Sequence, residues 1–124
     1  MEIKPAKILV VDDEPQLVEL LKMRLEVMGY SVLTAYDGQE GLAKATQEHP
    51  DLILLDIMMP KMDGCETLSR LKQQPETRAI PVIMLTAKGD THSITRLQAL
   101  RATDYFIKPF DATELLAFIR KYLP

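Results

Sequence analysis

Residues 51–64 read Asp-Leu-Ile-Leu-Leu-Asp-Ile-Met-Met-Pro-Lys-Met-Asp-Gly. The run Leu52–Leu55 is apolar without a polar interruption, too short for a buried helix and typical of a strand covered on both faces. It closes on a carboxylate, Asp56, followed by a loop marked by Pro60 and Gly64. An apolar strand that delivers an acid at its carboxyl end suits a parallel α/β sheet, where ligands bind beyond the carboxyl ends of the strands.

Four more runs of the same kind flank it: Ile8–Val11, Val32–Ala35, Val82–Leu85 and Tyr105–Ile107. Helical patterns separate them. Leu17, Leu20, Leu21, Leu25 and Met28 repeat at three and four, with Gly29 as the stop. Leu42 and Ala45 lie in a weaker second helix before Pro50, and Leu68 and Leu71 in a third ending near Pro75. Ile94, Leu97 and Leu100 mark a fourth. Leu115, Leu116, Ile119, Tyr122 and Leu123 mark a fifth that runs to the end. Pro15 and Asp111 suit the starts of the first and fifth helices. Five β–α units predict a three-layer, doubly wound parallel sheet of the flavodoxin-like (βα)5 type, strand order 2-1-3-4-5, with right-handed crossovers.

The 124 residues fit a single domain spanning 1–124. Hydrophobic residues at 47% and charged residues at 27% describe an ordinary soluble globule. A net charge of −3 argues against a direct nucleic-acid surface. No apolar run approaches a membrane span, and Ile8–Val11 is too short for a signal segment. The single cysteine, Cys65, excludes an internal disulfide, so a cytoplasmic setting is expected.

The strand ends carry the chemistry. The first run ends in Asp12-Asp13-Glu14, the third in Asp56, the fourth in Thr86-Ala87 and the fifth in Lys108-Pro109. Carboxylates gathered at one sheet edge repel one another, and a hard divalent cation relieves this; Mg²⁺ favours one or two carboxylates, waters and a phosphate oxygen. Carboxylates also accept phosphoryl groups as acyl phosphates. Thr86 offers a hydroxyl and Lys108 a compact cation to a phosphoryl oxygen. Each residue has a bland alternative: a turn or helix cap for Asp12-Asp13, a loop cap for Asp56, an ordinary strand end for Thr86, a solvated charge for Lys108. Their joint placement after four strands favours the functional reading.

The segments ILVVDDE, DLILLDIMMPKMDG, VIMLTAK and DYFIKPF, in this order, closely resemble the response-regulator receiver family of two-component signalling, the CheY-like domains. The likeness covers essentially the whole chain. It implies that Asp56 is the phosphorylated aspartate. Asp12 and Asp13 become the acidic pair for Mg²⁺, with the Met58 carbonyl as a further ligand. Thr86 and Lys108 become the phosphate-sensing pair, joined by the Ala87 amide, and Tyr105 the switch aromatic paired with Thr86. The Lys108–Pro109 bond is expected cis, and Gly64 is expected to free the loop backbone. The resemblance implies a histidine kinase or histidine phosphotransfer domain as donor, no membrane partner, and a downstream protein or fused output domain read through the fourth helix, fifth strand and fifth helix. The domain would be a switch, catalysing only its own phosphorylation and dephosphorylation.

Arg101 departs from the family, which usually carries glycine there; the end of the fourth helix is therefore expected to be built differently. Met58 and Lys88, two beyond Asp56 and Thr86, neither hold nor activate a water well, which predicts a long-lived acyl phosphate. Met58, Met59 and Met62 read as packing, Cys65 as a plain small residue, and His49 and His92 as solvated surface. Three rival readings are weaker. A phosphorylation-independent pseudo-receiver would lack one of the acidic pair, the acceptor or the lysine. A flavin carrier needs a Ser/Thr/Gly-rich loop where DDEPQ stands. An aspartyl phosphatase would place its nucleophile after the first strand and add a cap.

Overall fold

The structure, a computed structural model, describes residues 4–87, 91–108 and 110–123, excluding the side chains of 91–94. Lys88 and Pro109 lie outside the described residues, as do the side chains of His92 and Ile94, so the expectations placed on them go no further.

Five parallel strands form one sheet in the order β2-β1-β3-β4-β5. They are β1 (Lys7–Val11), β2 (Ser31–Ala35), β3 (Leu52–Asp56), β4 (Val82–Ala87) and β5 (Asp104–Lys108). Helices α1 (Pro15–Val27), α2 (Gly38–Glu48), α3 (Gly64–Gln73), α4 (Thr91–Ala99) and α5 (Ala112–Ile119) alternate with them. The expected flavodoxin-like architecture is therefore the one observed. Central β1, β3 and β4 are nearly all apolar because both faces are covered, and the period-2 alternation splits them between two cores. Leu9, Val11, Ile53, Leu55, Val82 and Met84 pack with Ala45, Leu68, Leu71 and Leu97. Ile8, Val10, Leu52, Leu54, Ile83 and Leu85 pack with Val18, Leu21, Leu25, Leu115 and Ile119 on the other side.

Helix starts follow local chemistry. Asp37, Asp63 and Asp111 are N-caps whose carboxylates accept from the amides of Glu40, Glu66 and Thr113. Pro15 occupies the first turn of α1, as expected.

Several expectations fail in detail. Leu20 is exposed, and Val18 takes the buried place on α1, because the core-facing stripe runs Val18, Leu21, Leu25. α5 ends at Ile119; Tyr122 and Leu123 lie beyond it and pack back on the core. There the Tyr30 hydroxyl donates to the Leu123 carbonyl at 2.6 Å. Arg101 does not force a different helix end. It adopts the left-handed conformation itself, φ 66°, with its amide donating to Gln98 and the Ala102 amide to Leu97, satisfying carbonyls at the end of α4. Gly64 has no positive φ; Lys61, φ 68°, carries the left-handed turn in that loop. What demands glycine at 64 is space, since a Cβ there would stand 2.2 Å from the Asp56 carbonyl oxygen and 2.6 Å from the Ile57 Cα.

Candidate functional site

Register builds the site. Val11 pairs with Leu55 and Asp56 with Leu85, so Asp12 and Asp56 emerge side by side from adjacent strands at the switch point. Ala87 pairs with Lys108 one strand further on. The ladders continue past the strand ends: the Asp12 amide donates to Ala35 and the Ile57 amide to Leu85, both at 3.1 Å. These bonds carry the sheet's pairing onto the acid-bearing backbone. The Gly64 amide donates to the Ile57 carbonyl at 2.8 Å, drawing α3 close under the acceptor loop.

One carboxylate oxygen from each of Asp12, Asp13 and Asp56 lies within 4.8 Å of the others. Asp12 is fully buried and Asp56 is 4% exposed, whereas Asp13 faces solvent. Lys108 reaches into the cluster: its Nζ stands 2.8 Å from Asp12 Oδ2, 3.3 Å from Asp56 Oδ1 and 3.3 Å from Glu14 Oε1. The Glu14 amide donates to Asp12 Oδ1 at 3.0 Å, so both oxygens of the buried Asp12 are satisfied.

The electrostatics follow. Burial, joined by the charge of Asp12 and more weakly that of Asp13, pushes the Asp56 carboxyl up to about 6, against the downward pull of Lys108's charge and hydrogen bond. Burial depresses the Lys108 ammonium, but its hydrogen bond to Asp12 and the charges of Asp56 and Asp12 outweigh this, so its pKa is raised. Three carboxylates against a single lysine leave an excess of negative charge at this edge. Three convergent oxygen donors are the set a hard dication takes, so these residues fit Mg²⁺.

The other expected residues sit around this centre. Thr86 is fully buried at the end of β4, its hydroxyl donating to the Ala87 carbonyl across a long 3.4 Å. Tyr105 is half-buried against the core that includes Leu97 and Ala102, beside a 200 Å³ cavity lined by Gln98, Thr103 and Asp104. Met59 and Met62 are packing, as expected, but Met58 is not: it is 67% exposed. It lines a 460 Å³ groove with Asp13, Met59, Pro60 and Arg96. Cys65 is buried near the start of α3. His49 is exposed and ends α2 with φ 50°. Sequence reasoning assigned Glu14 no role, and its contact with Lys108 crosses 94 residues of chain. The only signal in the sequence was the third acid of Asp12-Asp13-Glu14.

A parallel (βα)5 sheet with an acidic centre at its switch point and a lysine from β5 defines a class of phosphate-handling α/β domains. The family profile described as the response regulator receiver domain matches residues 8–120, and the chain belongs to that family. It is 49% identical over 124 residues to "Probable transcriptional regulator ycf27" of Cyanophora paradoxa, covering 99% of this chain and 50% of that protein. It is 48% identical over 117 residues to the alkaline phosphatase synthesis transcriptional regulatory protein PhoP of Bacillus subtilis, covering 94% of this chain and 48% of the relative. The chain thus spans about half the length of these relatives. Among solved structures, the chemotaxis protein CheY4 of Vibrio cholerae superposes with a TM-score of 0.89 at 34% identity, covering 95% of this chain and 98% of that one. This chain is a receiver domain of the two-component response-regulator family. Receiver domains of this family partner with histidine kinases and bind Mg²⁺ at an acidic pocket. No described helix is long and apolar enough to cross a membrane.

Proposed function

We propose that Asp56 is the phosphoryl acceptor of this receiver, within a single domain over 1–124, and that Mg²⁺ is held by Asp13, Asp56 and the Met58 carbonyl, with Asp12 acting through water. The observation that supports this reading is the convergence of Asp12, Asp13 and Asp56 at one sheet edge, with Lys108 paired to Asp12 and Asp56. When bound, Mg²⁺ supplies charge neutralisation for the anionic phosphoryl oxygens.

The residues then act as follows. A carboxylate oxygen of Asp56, ionised at neutral pH, attacks phosphorus. The new O–P bond forms as the bond to the donor's imidazole nitrogen or acyl oxygen breaks, and the leaving group departs with the electron pair. Lys108 holds a phosphoryl oxygen, and the Thr86 hydroxyl and Ala87 amide take up others. Thr86 turning inward opens room for Tyr105, which lies beside a 200 Å³ cavity against α4. This biases the surface of α4, β5 and α5. The donor is a histidine kinase or histidine phosphotransfer domain, and the setting cytoplasmic. The receiver catalyses only its own phosphorylation and dephosphorylation. Its output is a downstream protein or a fused output domain, a reading supported by the transcriptional regulators it resembles.

Intact mass after incubation with acetyl phosphate and Mg²⁺ tests this. One phosphoryl group should be gained, and none by Asp56→Asn or without Mg²⁺. A stoichiometric gain in Asp56→Asn would remove Asp56 from the role.

A further inference from the structure

An ammonium group has three N–H donors. Lys108 Nζ donates to Asp12 and Glu14 and forms an ion pair with Asp56 Oδ1 at 3.3 Å, so three carboxylate oxygens already crowd the ammonium. A phosphoryl oxygen arriving at Asp56 competes for Lys108 with these three, and gains it most readily if one lets go. Asp12 is fully buried, holds the shortest bond at 2.8 Å, and would lose a partner with no water to replace it. Asp56 is the attacking group itself. Glu14 is different: its side chain is 63% exposed, its contact is at 3.3 Å, and on release it is hydrated at once. It is also free for this task. Glu14 is the N-cap of α1, yet its side chain makes no capping bond, because Pro15 in the first turn presets the helix start.

We propose that Glu14 is a positioning residue for phosphorylation. It holds one donor of Lys108 at the mouth of the site in the unphosphorylated protein and yields it to the phosphoryl group. Glu14 thereby sets how readily Lys108 engages the donor. The inference rests on Asp56 as acceptor.

A merely repulsive role would have Glu14 act by its negative charge on an anionic donor. Glu14→Asp keeps the charge and withdraws the carboxylate by one carbon–carbon bond, about 1.5 Å, out of reach of Lys108. Glu14→Gln removes the charge at full length. The measurement is the rate of mass gain in Mg²⁺ with acetyl phosphate and with the less negatively charged phosphoramidate, at low and high salt. Both variants should be phosphorylated about two- to fivefold faster with both donors, the scale of an exposed ion pair, and the gain should persist at high salt. A Glu14→Asp rate equal to wild type, or an acceleration confined to acetyl phosphate and lost in salt, would show charge repulsion alone and overturn the proposal. So would unchanged rates in both variants.

A second measurement, on ¹⁵N-labelled protein, follows the Lys108 ammonium by NMR. In wild type its protons should exchange with water more slowly than those of the other lysines, and faster in both variants. No change in either variant counts against the contact. Asp56→Asn run alongside separates the two levels: mass gain in that variant removes the acceptor assignment, whereas the ranking of the Glu14 variants bears only on Lys108.

Discussion

At the residue scale, the site sets three near-identical acids to different tasks by environment alone. Asp12 is buried and bonded through both oxygens, Asp56 is buried and pushed up to about 6, and Asp13 is exposed and uncommitted. Asp13 can offer a metal an oxygen without giving up a protein partner. Asp13→Ala should therefore weaken Mg²⁺ binding at least about tenfold, while Glu76→Gln, a change at an exposed turn, leaves it unaltered; calorimetric titration decides, and equal affinities would exclude Asp13. Met58 projects into solvent at the rim of the groove beside Asp13. Its thioether makes no useful hydrogen bond to a hydrolytic water, so the acyl phosphate should persist for tens of minutes. Met58→Asn should shorten that lifetime by about ten- to a hundredfold by holding the water in line. Phosphoryl loss followed after donor removal checks this, and decay within seconds in the native sequence would contradict it.

At the element scale, two loops position the chemistry by opposite uses of the backbone. The β3–α3 loop brings α3 so near Asp56 that residue 64 has no room for a side chain. Gly64→Ala should destabilise the fold by about 1–3 kcal/mol through overpacking. It should also slow phosphorylation of whatever folds, because the atom it strikes belongs to Asp56. Thermal melts and mass gain measure the two effects. At the end of α4 the demand falls instead on conformation. Arg101 sits at φ 66°, where a Cβ costs about 1–2 kcal/mol. Arg101→Gly should relieve that strain and raise stability by up to about 1 kcal/mol, the rest being lost to the freer unfolded chain. A melt showing destabilisation would mean that Arg101 earns its place through contacts of its side chain.

For the whole molecule, the sheet places an ionisable cost at the carboxyl end of its central strand β3. Asp56 has a folded pKa of about 6 against 3.8 for the unperturbed group. Because the raised value is the folded one, the native state binds the proton more tightly than the unfolded state. The metal-free protein should therefore lose stability as pH rises from about 4 to about 6, and stay at the lower level above that. The full shift corresponds to about 3 kcal/mol, an upper bound. Asp56→Asn, which cannot ionise, should be more stable than the native chain at pH 7 without Mg²⁺ and lose most of that advantage near pH 4. Denaturant midpoints across this range test the sign. Mg²⁺ should narrow the difference at pH 7 by binding only the folded native protein.

The five strands and their covered faces were legible in the sequence, because unbroken apolar runs ending at turns have few other uses. It also determined which strand ends carry acids, a hydroxyl and a lysine, and the alternation of elements then limited the strand order. The side-chain environment was beyond it. Leu20, expected on the core face, is exposed while Val18 is buried, because core-facing position depends on where α1 lies on the sheet, which neighbouring residues alone do not set. Gly64 is needed for proximity and not for φ, a distinction only three-dimensional neighbours can make. Arg101 takes the glycine-like turn because the helix-end hydrogen bonds around it favour that conformation over a relaxed one. Only the folded arrangement shows that Lys108 is shared among Asp12, Asp56 and Glu14. Those partners are remote in the chain, and parallel pairing in register is what brings them within one ammonium's reach.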